Sequence, residues 1–150
     1  MNEPKIVRIY LNTVLNDTGN SAMQTACPGG WWPDKIPQQS VLGVAVPFPA
    51  GTYQLYSPGN DLVVINNTRI WSDMEWLIKA SAIVGQDATL DDAVDLMDDL
   101  LKDVRYQAVG SDGAMIYAIS RLRPFSQPVD EDGVSYRQEG GFYRVQVRAG

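Results

Sequence analysis

From Met74 to Val84 the chain reads as one long strand. Trp76, Ile78, Ala80, Ala82 and Val84 share one face of it; Glu75, Lys79 and Ser81 share the other, with Leu77 and Ile83 as apolar exceptions. The period then changes from two to about 3.6. Leu90, Ala93, Val94, Met97, Leu100, Leu101 and Val104 recur at the spacing of a single buried helical stripe. The opposite face of this helix is nearly all aspartate. Thr89 is the expected start, with Asp92 three residues on in a capping-box-like spacing. A strand feeding such a helix is a packing unit, and nothing in it has the make-up of a catalytic centre.

The same pattern predicts the other elements. Pro4 suits the first turn of a helix, and Val7, Tyr10, Leu11 and Val14 share a face, so a first helix is expected over Pro4 to Leu15. Asn16 to Asn20 is turn chemistry. Residues 19 to 51 are rich in Gly, Pro and Ser and read as a long ordered loop with one short strand near Leu42 to Val46; Pro47 and Pro49 exclude a central strand there. A β-meander follows: Thr52 to Ser57 and Leu62 to Asn66 flank a Pro58-Gly59 turn, with a second turn at Asn66-Asn67 leading into Arg69-Ile70-Trp71. The last strands are expected at Ala114 to Leu122 and Phe142 to Val147, with the polar segment Pro124 to Gly141 as a loop or extended hairpin. That segment holds too few apolar residues to order itself, so it is expected to need a neighbour. The fold class is α+β: a mixed or mostly antiparallel sheet with two helices packed on one face. No repeat or linker divides residues 1–150, so a single domain is expected.

Composition narrows the chemistry. The chain has 150 residues, 45% hydrophobic, and a net charge of -6. Such a charge argues against general nucleic-acid binding, which needs a basic patch to neutralise phosphates, but not against a wall along which DNA slides. There is no histidine and a single cysteine, Cys27. Histidine-based triads, intramolecular disulfides and cysteine zinc sites are thereby excluded. No base stands ready to activate a Ser or Tyr nucleophile. The first residues lack a signal-peptide core, and no apolar run approaches the ~20 residues of a membrane span, so synthesis in the cytoplasm is expected. Asn16-Asp17-Thr18 and Asn66-Asn67-Thr68 match the glycosylation sequon by coincidence on that reading.

Asp91-Asp92-Ala93-Val94-Asp95 matches the Asp-Asp-x-x-Asp pattern that holds Mg²⁺–diphosphate on prenyltransferase helices, and Asp98-Asp99 almost repeats it. That chemistry needs facing helices around a deep cavity, for which this chain has too few. A solvated face complementing the helix dipole is the expected role. Trp31-Trp32-Pro33 lies in a loop, either as an interface anchor or as cover for the open edge of the core, while Trp71 and Trp76 read as core. Gly110-Ser111-Asp112-Gly113 is a tight turn, and Asp130-Glu131-Asp132 a solubilising triplet. Tyr117, Ile119, Arg121 and Arg123 alternate with Ala118, Ser120 and Leu122; Tyr143, Val145 and Val147 alternate with Arg144, Gln146 and Arg148. One sheet face should therefore be apolar and the other should bear arginines.

The order of elements resembles the small tail terminator (tail completion) proteins of long-tailed bacteriophages. The parts that carry the likeness are the opening helix, Gly51 to Tyr56, Glu75 to Ser81 running into Leu90 to Val104, and the closing Tyr136-Arg137 with Gly141 to Val147. Almost the whole chain is covered, with residues 19 to 51 as the departure. The resemblance implies a virion protein without catalytic residues or cofactors. It would form a ring, commonly a hexamer, at the head-proximal end of the tail, end tube polymerisation and meet the tail tube and head-completion proteins. DNA would pass through it without specific recognition. In such a ring, a face with Arg121, Arg123 and Arg144 would meet Asp95, Asp98 and Asp99 of the next subunit, since the two surfaces are not expected to pair within one chain. The alternatives are another head–tail connector or adaptor, or a small Mg²⁺-dependent enzyme using Asp91, Asp92 and Asp95.

Overall fold

The computed structural model describes residues 2–38, 43, 45–63, 69–131 and 133–149. Helix α1 spans Glu3–Leu15, α2 Ser21–Ala26 and α3 Asp87–Leu101. The strands are β1 Trp31–Pro33, β2 Ala50–Val63, β3 Arg69–Ile83, β4 Arg105–Ala108, β5 Met115–Glu131 and β6 Val134–Arg148. They form one six-stranded sheet in the order β1-β2-β3-β6-β5-β4. Among the described residues only β1 and β2 run parallel; every other pair is antiparallel. This is the α+β arrangement the pattern predicts.

Strand β3 sits in the middle because both of its edges find long partners, β2 and β6. Trp76, Ile78, Ala80 and Ala82 are all fully buried on one face, as alternation requires. Against them pack Ile6, Val7, Leu11 and Leu15 of α1 and Leu90, Ala93, Met97 and Leu101 of α3, in one cluster with Tyr143, Val145 and Val147 of β6. Val94 and Leu100 are only partly buried at its margin. Asn2 caps α1, its side chain accepting from the Lys5 amide at 2.9 Å.

Several elements differ from the expectation. Helix α3 begins two residues before Thr89, and no side chain caps it. Gln86, at its N-cap, instead accepts from the Ile83 amide and donates to the Phe48 carbonyl. Val84 lies beyond the end of β3, before the positive-φ Gly85, and is 79% exposed. Pro58-Gly59 is not a turn: β2 runs through it with shifts of register between Leu55 and Asn60. Gly59 is required there, because a Cβ would run into the Asp73 carbonyl. The turn expected at Asn66-Asn67 lies outside the described residues, as do Leu42 and Val44 of the strand expected near Leu42 to Val46. The loop from 19 to 51 contains α2 and β1. Segment 124–141 is a regular ladder from Pro124↔Gly141 to Glu131↔Val134, so the pairing of its own two strands orders it.

The tryptophan segment is core cover. Trp31 is 2% exposed, and β1 adds to β2 with Trp31 opposite Gly51. The Asn16 side-chain amide binds both the N–H and the carbonyl of Trp31, each at 2.8 Å, and so pairs the outer edge of β1 as a further strand would. Trp32 donates its indole N–H to the Gly29 carbonyl at 2.7 Å. A Cβ on Gly51 would strike the Trp31 ring. Gly51→Ala is therefore expected to lower stability by about 1–3 kcal/mol and to loosen β1, read by urea denaturation followed through tryptophan fluorescence.

Candidate functional site

The helix-free face of the sheet is built from the residues that alternate with the core strip. Ladder partners share a face. Asp73, Glu75, Leu77, Lys79 and Ser81 of β3 therefore lie beside Phe142 and Arg144 of β6. Two clusters form on it. Tyr56 meets Phe142 edge-on at 4.8 Å, Phe125 meets the same ring at 5.8 Å, and the Arg123 guanidinium stands 4.0 Å over it. Further along, Tyr117 contacts Trp71 and Tyr106, with Arg148 5.7 Å over its ring.

The arginines on this face are largely matched within the subunit. Arg144 binds Asp73 through two nitrogens, at 3.0 and 2.6 Å. This bidentate pair holds the guanidinium proton still more tightly than usual. Arg123 Nη1 lies 2.7 Å from Glu75 Oε1. Arg148 donates only to the Gly113 carbonyl, at 3.5 Å, and has no acidic partner among the described residues.

Arg121 is elsewhere. The β5–β6 register shifts between Arg121 and Arg123, so Arg121 pairs with Tyr143 on the helix face and Arg123 with Phe142 on the other. Leu122 is the extra residue of this bulge. Arg121 Nη1 sits 3.8 Å from Asp98 Oδ1 of α3 in the same chain. The expectation that these surfaces cannot meet within one subunit is overturned at this pair. Tyr143 donates to the same Asp98 oxygen at 2.7 Å. Burial, and then the Asp98 carboxylate, push the Tyr143 hydroxyl far above its usual range. A second shift, between Ile116 and Ala118, buries Ile116 and Ile119 together, where alternation predicted Tyr117 with Ile119.

Helix α3 displays its aspartates in two directions. Asp92, Asp95 and Asp99 line the groove beside α2. Asp99 pairs with Lys102 at 3.0 Å. Asp91 turns towards Glu139 of β6, and burial followed by that carboxyl raises the Glu139 pKa while Arg137 opposes the rise. The Asp-Asp-x-x-Asp motif is thus divided, and among the described residues no group of three or more acidic, Cys or His side chains could hold a metal ion.

No protein-family model matches the chain. No curated protein matches it either. Among solved structures, the fold is similar to a chain of the "Virion of native gene transfer agent (GTA) particle", with a TM-score of 0.57 and 14% identity over 94% of this chain and 92% of that one. At that identity the likeness is one of fold.

Tyr143 supplies a test of the Asp98 contact. Its folded-state pKa is raised, so stability is fully present below the unfolded value of about 10 and is lost as pH climbs above it, by up to about 1.4 kcal/mol per pH unit. Tyr143→Phe should flatten that alkaline loss and cost about 1 kcal/mol at neutral pH, both measured by denaturant titration across pH.

Proposed function

We propose that this chain is a structural protein of a phage-like virion, and that it acts as a tail terminator. The observation that carries the reading is the fold likeness to a gene transfer agent virion chain over nearly the full length of both. The element order independently resembles the tail terminator family. In this role the subunit joins copies of itself in a ring, commonly a hexamer, at the head-proximal end of the tail. The ring stops growth of the tail tube and presents a surface to the head-completion protein, while DNA passes without sequence-specific contacts. No catalytic step or cofactor is called for. The direct test is co-expression with the tail tube protein of the same particle. Tubes should end at a defined length with this protein at one tip in electron micrographs; tubes of unchanged, indefinite length would defeat the terminator role. Binding to the connector alone would favour the adaptor alternative.

Within the ring, the contact surfaces follow from the charge layout. The helix-free face carries Arg123, Arg144 and Arg148; the α3 surface carries Asp95 and Asp99, with Asp98 already engaged by Arg121 and Tyr143. A heterologous contact between these two surfaces closes by rotation. Charge match would steer it, while the exposed Tyr56 and Tyr106 and the half-buried Trp71 contribute contact area. Arg148 is the cleanest probe, because no carboxylate among the described residues pairs with it. Arg148→Glu should leave monomer stability within about 0.5 kcal/mol and weaken assembly, and assembly itself should weaken between 0.1 and 1 M salt as the Debye length falls from about 10 to 3 Å. Asp95→Arg on the partner surface should restore part of the loss in sedimentation experiments.

A further inference from the structure

Three strands bring four polar side chains together on the helix-free face. Thr52 and Lys79 are direct partners across β2 and β3, and Ser81 and Gln138 across β3 and β6. Residues 34–38, Val46 and Phe48 stand over them and leave a cleft of about 530 Å³. Phe48 packs on Tyr136 at 5.4 Å to form one wall, and Gln86 ties that wall to the start of α3 through the Phe48 carbonyl.

Within the cleft Lys79 stands apart from the acids. The Lys79 ammonium donates to Gln138 Oε1 at 2.9 Å and lies 5.3 Å from the Phe125 ring. Among the described residues it has no carboxylate within ion-pair distance, although Arg123 and Arg144 on the same face each have one. Burial lowers the Lys79 pKa, and no neighbouring acid opposes the shift. Thr52 also lines the cleft, and its Oγ1 is enclosed without a partner among the described residues. A half-buried cation held by a neutral amide, beside an unused hydroxyl, is a site set for one negative charge.

We propose that this cleft binds a carboxylate group, with Lys79 as its ion-pair partner and Gln138, Ser81 and Thr52 as hydrogen-bonding neighbours. Asp34, Lys35 and Glu131 also line the cleft. The two carboxylates repel a dianionic phosphate more strongly than a monoanion such as a carboxylate. The carboxylate belongs either to a free small acid or to an acidic side chain of a docked protein. The inference stands on this geometry and does not depend on the virion reading.

The test is an NMR titration of the lysine Cε–Hε signals of the intact chain, with Lys79→Met assigning the Lys79 resonance. Two probes are used: sodium acetate, and a peptide copying residues 90–101 of α3. Saturable movement of the Lys79 signal with a raised pKa, absent with sodium chloride at equal ionic strength, is the expected result. Affinity, followed in wild type and variants by the ring signals of Tyr136 in the cleft wall, should fall about tenfold or more in Lys79→Met and by less in Thr52→Val. A response to acetate identifies a site for free acids; a response to the peptide alone identifies a protein carboxylate. If neither probe moves Lys79 in the wild-type chain, the proposal is wrong, whether or not the variants fold.

Discussion

Burial of the strip Trp76-Ile78-Ala80-Ala82 under α1 and α3 is the constraint on which the rest of the molecule depends. Once that strip faces the helices, the pleat forces Glu75, Leu77, Lys79 and Ser81 to the opposite side. The partners of β3 must then present matching faces. Tyr143, Val145 and Val147 go inward, and Phe142 and Arg144 outward. A slip of one residue in β3 would exchange core for surface along three strands at once. The register is therefore held by the largest apolar term in the structure rather than by any single hydrogen bond.

The bulges set how that face meets the charges. Each inserts one residue into β5 and changes which face the following residues occupy. The first lets two isoleucines three apart both reach the core. The second divides Arg121 from Arg123, so that one guanidinium meets α3 and the other an aromatic cluster. Without the second, Arg123 would lie on the helix side with Arg121 and away from the aromatic cluster. The acidic helix and the basic sheet face are consequently connected inside the subunit at one point and free to meet other molecules elsewhere.

A subunit of this kind suits assembly. One surface is rich in aspartate, and the other combines aromatic rings with cations, most of which are already paired. Paired charges cost less to desolvate at a contact than lone ones, because their hydrogen bonds are already made. The hairpin formed by the distal halves of β5 and β6 has an outer edge carrying Pro124 and Pro128. Within a paired ladder these must turn their missing N–H groups outward, which hinders strand addition along that edge. Contacts through faces are favoured over contacts through edges.

The sequence by itself determined the α+β class, α1, the central strand, the inward stripe of α3 and the acidity of its outer face. These are local matters: periodicity and composition decide them, and hydrophobic burial enforces them. Helix α2, strand β1, strand β4, the passage of β2 through Pro58-Gly59 and the ordering of segment 124–141 were not legible. Each depends on a partner distant in the chain, as when Asn16 stands in for a strand beside Trp31. The surface residues divide in the same way. That arginines and aspartates lie on the outside follows from alternation. That Arg121 joins Asp98, Arg144 joins Asp73 and Lys79 is left without an acid follows only from register shifts and strand order. Those are set by the packing of the whole sheet, and no window of sequence contains them.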